Sequence, residues 1–169
     1  MPERADAYQP ERRFVAFRFT VRLADEGGKV ICGGSFSEAT GLEATMTPRA
    51  IREGGRNWGA VQRAGPVAFG TVILKRGMTA GDDLSKWFDL TTRLGGTGVR
   101  LNGTIEVVDR AAFNRTTKVA KPHVLLTWSL HNALPIKFKG ADLNATASQV
   151  AIEELHLVHE GLTLERNKD

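Results

Sequence analysis

Phe17-Arg18-Phe19-Thr20-Val21-Arg22-Leu23 places an apolar side chain at every second position with a polar one between. That is the period-two pattern of a strand with one face in a core and the other in water. Asp25-Glu26-Gly27-Gly28 follows at once as a turn signal, so the chain opens as β-structure. Lys29 to Ser37 reads as a second strand, interrupted at Gly33-Gly34, where a bulge or a close backbone approach is the expected cause. Leu42, Ala44 and Met46 alternate with Glu43, Thr45 and Thr47 in a third strand closed by Pro48. Val67 to Arg76 is a fourth, with a turn from Gly77 to Gly81 after it.

The second half keeps the same period. Val99, Leu101, Ile105 and Val107 mark one strand, and Val124, Leu126, Trp128 and Leu130 mark another able to pair with it as a hairpin. Between them Asp109 to His123 is polar and basic through Arg110, Arg115, Lys118 and Lys121, which predicts an exposed tip. Asn132 to Asn144 reads as irregular, and Val150 to Leu164 as the last strand or strands. About seven strands are expected, with many tight turns supplied by 18 glycines against 6 prolines. One segment breaks the pattern. From Thr79 to Leu94, Leu84, Trp87, Phe88, Thr91 and Leu94 recur at three-to-four spacing, the stripe of an amphipathic helix. Asp82 and Asp83 suit the positive end of its dipole, and Gly95-Gly96 ends it.

At 169 residues and 41% hydrophobic, the chain has the length of one domain and enough apolar material for a core. The expected division is a polar tail over 1–13, a single β domain over 14–165 and a short tail over 166–169. The single cysteine, Cys32, cannot make an internal disulfide, so oxidative stapling has no part in the expected fold. Met1 to Arg13 has no apolar core of a secretory signal, and no run of about 18 apolar residues suggests a membrane span. A net charge of +4 is mild, without the basic face interleaved with aromatics that marks a free nucleic-acid binder.

Enzyme chemistry finds little support. His156 and His159 stand near Glu153, Glu154 and Glu160, and on a helix they would share a face as metal ligands could. The alternation with Ile152, Leu155 and Leu157 says strand, which sends the two rings to opposite faces. Asp82 and Asp83 are adjacent on a helix, diverge by about 100°, and do not converge on one substrate atom. No nucleophile elbow, P-loop or dinucleotide fingerprint is present, and Cys32 beside Ile31 reads as a buried thiol. No catalytic, cofactor-binding or metal residue is therefore assigned.

The exception to all periodicity runs from Pro48 to Pro66. It concentrates Arg49, Arg52, Glu53, Arg56, Asn57, Trp58 and Arg63 among glycines. Aperiodic loops longer than about 12–15 residues are uncommon in compact domains unless functional or disordered. A tryptophan among arginines is the composition of interface anchors, which favours a docking element over a solvated excursion.

Three runs in the first half, Gly34-Ser35-Phe36-Ser37-Glu38 through Gly41-Leu42, Arg52-Glu53-Gly54-Gly55-Arg56-Asn57, and Leu74-Lys75-Arg76-Gly77-Met78-Thr79 leading to Trp87, resemble the tail-tube family of contractile phages. In the second half, Trp128-Ser129-Leu130-His131-Asn132-Ala133 with Pro135, Gly140 to Ala145, Ala151-Ile152-Glu153 and His159-Glu160-Gly161-Leu162 agree with it. The family includes inner tube proteins of extracellular contractile injection systems and is similar to the haemolysin-coregulated tube protein of type VI secretion. The resemblance implies a mainly β fold: two packed antiparallel sheets forming a barrel-like body, one flanking helix and a long extended loop. It further implies hexameric rings stacked into a tube, with sheath, baseplate and spike proteins as partners and cargo effector or DNA in the lumen. No membrane insertion is implied. Such a protein is assembled in the bacterial cytoplasm and becomes part of a virion or an extracellular injection particle. By resemblance, Arg49, Arg52, Glu53, Arg56, Asn57, Trp58 and Arg63 make contacts between subunits or rings. Arg110 to His123 departs from the family pattern by being longer. Two other readings make different predictions: a monomeric β-barrel binding a small molecule, and a metal enzyme using His156 and His159.

Overall fold

The computed structural model describes residues 18–95, 98–108, 112–114, 119–121, 123–142 and 150–167. Phe17, the 1–13 tail, Gly96, Arg110, Arg115, Lys118, residues 143–149 and the last two residues lie outside the described residues.

In chain order the elements are β1 (Phe19–Ala24), β2 (Val30–Ser35), β3 (Glu38–Thr40), β4 (Ala44–Met46), β5 (Arg49–Ile51), β6 (Val61–Arg63), β7 (Val67–Phe69) and β8 (Val72–Gly77). Then come α1 (Asp83–Arg93), β9 (Leu101–Val108), β10 (Ala112–Asn114), β11 (Val119–Lys121), β12 (Val124–Lys139), β13 (Ile152–Val158) and β14 (Gly161–Arg166). Two antiparallel sheets share β12. Its first half pairs with β9 on one side and β14 on the other, extending the order to β2-β1-β9-β12-β14. Its second half pairs with β13, giving β12-β13-β8-β3.

The shared strand bends where it changes sheets. Asn132 sits at φ 50, a left-handed conformation that asparagine tolerates better than most residues. Its backbone N–H donates to Asn102 Oδ1 at 3.2 Å and its side chain donates to Glu160 Oε2 at 2.9 Å. Arg100 closes the cluster, donating to the Asn132 carbonyl at 3.2 Å and to Glu160 at 2.7 Å. The segment expected to be irregular from Asn132 is thus strand through Lys139, because the second half of β12 has β13 to pair with.

Folding the two sheets over one another buries the alternate side chains. Val21, Leu23, Leu101, Ile105 and Leu130 from the first sheet meet Val72, Leu74, Leu155 and Leu157 from the second. Each such side chain contributes about 1.5–3 kcal/mol on leaving water. Helix α1 adds Leu84 and Trp87, and the indole Nε1 donates to the Val99 carbonyl at 2.8 Å, so this ring is buried without an orphaned donor. Leu94, expected on the buried stripe, follows the last helical residue and is exposed.

A buried polar cluster ties the layers together. Arg76 on β8 is 5% exposed and Glu153 on β13 is 6% exposed, and the guanidinium lies against the Glu153 carboxylate and the Asp83 carboxylate of α1. Asp83 also accepts from the Gly33 N–H of β2 at 3.2 Å, and the Arg76 cation lies over the Phe36 ring at 5.5 Å. Burial opposes the charge on Asp83, but the Arg76 hydrogen bond and the Gly33 N–H outweigh it and lower its pKa. Asp83 was expected as a dipole partner only. Its larger role is to bind helix, β2 and β8 at one point, while Asp82 pairs with Lys86 at 2.8 Å. Gly33 is a close backbone approach, since a Cβ there would lie 2.8 Å from the Val21 carbonyl oxygen.

Candidate functional site

One part of the chain leaves this body. Ala44 to Met46, part of the expected third strand, pairs only with β7, so that Ala44 is opposite Phe69 and Met46 opposite Val67. Beyond it β5 pairs with β6: Arg49 opposite Arg63, Ala50 opposite Gln62 and Ile51 opposite Val61. The two ends of the Pro48 to Pro66 segment therefore pair as a two-stranded ribbon, with residues 52–60 as its tip, rather than forming an unstructured loop. Its strands are only three residues each, too short to show a period in the sequence. The expected single strand from Val67 to Arg76 is two, β7 and β8, because the chain turns from arm into body at Gly70-Thr71.

The turn into the arm is set by backbone contact. Gly41 has φ 78, and a Cβ on it would lie 1.9 Å from the Thr71 carbonyl oxygen, so only glycine lets the two arm roots touch. The roots are joined by Gly70 N–H donating to the Glu43 carbonyl at 3.0 Å. Phe69 then lays its ring against His159 at 5.1 Å between centroids. His159 is 8% exposed; its Nδ1 lies 3.0 Å from the Gly161 carbonyl oxygen and its Nε2 is buried without a hydrogen bond. Burial lowers its pKa, His131 adds to that, and the Gly161 and Gly70 backbone pulls the other way without prevailing.

Every residue assigned to intersubunit contact lies on the arm. Arg49 and Arg63 are on its ribbon, while Arg52, Glu53, Arg56, Asn57 and Trp58 form its tip. Arg56 N–H donates to the Glu53 backbone carbonyl at 3.3 Å and its guanidinium reaches the Glu53 side-chain carboxylate at 3.7 Å, closing the tip on itself. Trp58 is 95% exposed, and Met46, Ile51 and Val67 are exposed along the arm. A two-stranded ribbon is marginal in water, and this one shows solvent an indole and several aliphatic side chains.

The residues weighed for enzyme chemistry do not come together. His156 pairs with Glu154 within β13, whereas His159 packs beneath the arm root. Among the described residues, no three His, Cys, Asp or Glu side chains gather as a metal site would require. Cys32 is buried against the Asp83 carbonyl, and its thiol pKa is pushed up to about 12, first by burial and then by the Asp83 charge. It has no nucleophilic character at neutral pH. Sequence reasoning weighed Glu153 and His159 only for a metal site and gave Arg76 no side-chain role, because polar residues inside apolar alternation give no signal of what they will meet.

The family model for the T4-like virus tail tube protein gp19 matches residues 15–163. The chain belongs to this tail-tube family. The structure is similar to a chain in the 6-fold symmetrised cryo-EM structure of the anti-feeding prophage baseplate, with TM-score 0.72, 26% identity, and 93% of this chain and 98% of that chain covered. A chain of the PVC sheath-tube complex in its extended state shares the fold at TM-score 0.70 and 20% identity, with 93% and 94% covered. An Hcp protein shares it at TM-score 0.55 and 9% identity, covering 88% and 90%. No curated protein sequence matches the chain. As a tail-tube protein the chain is structural in role, and the expected barrel-like, mainly β fold with one helix holds.

Proposed function

We propose that this tail-tube protein forms hexameric rings that stack into the inner tube of a contractile injection particle or phage tail. The arm is then the element through which a subunit grips another subunit or ring. The observation that carries this reading is the arm itself: a narrow ribbon anchored at Gly41 and Phe69, with Trp58 at 95% exposure and none of the described residues covering it. Buried against a neighbour, that indole supplies an aromatic anchor, and Arg52 and Arg56 beside it supply directional polar contacts. Edges of the two sheets, at β2, β14 and β3, carry unpaired backbone groups that neighbouring subunits can also cover. A ring of six needs a heterologous contact, front patch to back patch, and the rigid body with a projecting arm suits one.

The same reading assigns sheath, baseplate and spike proteins as partners outside and at the ends of the tube, with cargo effector or DNA within. It assigns no enzymatic activity and places the finished subunit in a virion or extracellular particle after cytoplasmic assembly. No helix among the described residues is long and apolar enough to cross a membrane. The monomeric ligand-binding barrel needs an internal cavity, whereas Trp87, Leu23, Leu74 and Leu155 occupy the space between the sheets. Negative-stain imaging of R52A/R56A/W58A beside the unmodified chain tests the assignment of the arm. Absent or short tubes are expected, and tubes of normal length would remove the arm from the interface.

A further inference from the structure

The register of the arm places Arg49 directly opposite Arg63. Directly opposed residues on a ribbon hold their Cβ atoms about 4.5–5.5 Å apart, and like charges there are destabilising. Both side chains are exposed, and neither has an ion pair within the described chain. Arg52 is also without one, so the arm, with four arginines against one glutamate, carries most of the net charge of +4 as unneutralised cation. A three-residue ribbon with a self-repelling pair at the end nearest the body is poorly built to stand alone. It is well built to receive carboxylates, since two guanidinium forks can engage a pair of them bidentately.

The ion pairs of the body narrow what those carboxylates are. Every described carboxylate except Asp25, Glu26, Glu43 and Glu165 is in an ion pair with a basic side chain of its own chain. Asp142 is held by Lys139 at 3.0 Å. Glu43 packs against Gly70 at the arm root, and Glu165 is a single carboxylate, flanked by Leu164 and Arg166, that has no second acid beside it. Asp25 and Glu26 remain: two adjacent carboxylates at the tip of the β1–β2 hairpin. One Asp25 oxygen accepts the Lys29 N–H at 2.9 Å, and Glu26 is exposed.

We propose that Arg49 and Arg63 form a carboxylate clamp whose occupant is the Asp25-Glu26 turn of a second copy of this chain. The inference rests on the tube reading and adds to it the residues that set register between copies. A pair of arginines meeting a pair of acids fixes position, because a neighbour displaced along the ribbon leaves one charge of each pair unmet. The contact is also screened by salt, so it acts chiefly as a selector of correct geometry while Trp58 and the exposed aliphatics supply the apolar area.

Charge reversal tests this on three variants, read by sedimentation velocity and negative-stain imaging. R49E/R63E is expected to weaken self-association at least tenfold, and D25K/E26K to do the same. The fourfold variant R49E/R63E/D25K/E26K is expected to recover assembly, since each reversed arm then meets a reversed turn. Thermal unfolding of unassembled R49E/R63E should match the unmodified chain, because both positions lie outside the core, and D25K/E26K should lose only the Lys29 N–H bond of its turn. Assembly of R49E/R63E at the unmodified level overturns the clamp, and so does a fourfold variant no better than its two parents. An unmodified chain that never assembles at high concentration instead overturns the tube reading, and the clamp with it.

Discussion

The body and the arm are made from the same chain under opposite rules. In the body, the inner strands pair on both sides, apolar side chains face inward, and even an arginine and two acids are packed into the interior with their charges matched. In the arm, each strand has one partner, the apolar side chains face water, and two arginines oppose each other. The body matches the charges it buries, whereas the arm leaves in solvent an indole and arginines unpaired among the described residues. The exposed Trp58, set among exposed Met46, Ile51 and Val67, is the feature on which the proposed role of the arm rests.

The largest expected effect comes from attacking the body at its polar centre. Arg76→Ala leaves the Glu153 and Asp83 carboxylates without their cation, and removing one partner of a buried pair costs about 3–5 kcal/mol. Thermal unfolding of the monomer should show it as a large fall in Tm, and an unchanged Tm would mean that the cluster is not a keystone of the layers. Next comes the bend. Asn132→Ala forces a Cβ residue without a hydrogen-bonding side chain into φ 50, at a cost of about 1–2 kcal/mol, again read from Tm.

The border between body and arm should respond to pH. His159 has a folded-state pKa below its unfolded value, so protons bind more readily to the open form. The contribution of the neutral ring is complete above the unfolded value, about 6.5, and is lost as pH falls through the folded one. Amide protection factors at Phe69 and Gly70 should therefore drop on acidification before those of β13 do. His159→Phe should flatten that response. The smallest effect belongs to the arm itself: R52A/R56A/W58A should change monomer stability by less than about 0.5 kcal/mol while assembly suffers, separating the two regions completely. A large loss of monomer stability in this variant would show that the arm supports the body after all.

Much of the body was legible because half-buried strands and an amphipathic helix write their periods into the sequence. The alternation through Val21 and Leu23, the hairpin of β9 and β12, and the Leu84, Trp87 and Thr91 stripe all appear where expected. The failures have one cause. Ala44 to Met46 alternates like a core strand yet belongs to the arm, and the residues after Asn132 look irregular yet continue a strand, because pairing partners decide both. The arm was visible as an aperiodic arginine-rich interval, but three-residue strands gave no sign of its ribbon form.

The sequence by itself determined a β-rich, single-helix tail-tube protein and the composition of its arm, since both follow from local periodicity and an ordered series of motifs. Tertiary structure alone decided that Arg76 would join Asp83 and Glu153, that His159 would lie under Phe69, and that Arg49 would face Arg63. These are meetings between residues distant in the chain, fixed by sheet register, and register is set by the pairing of whole strands rather than by any segment read alone.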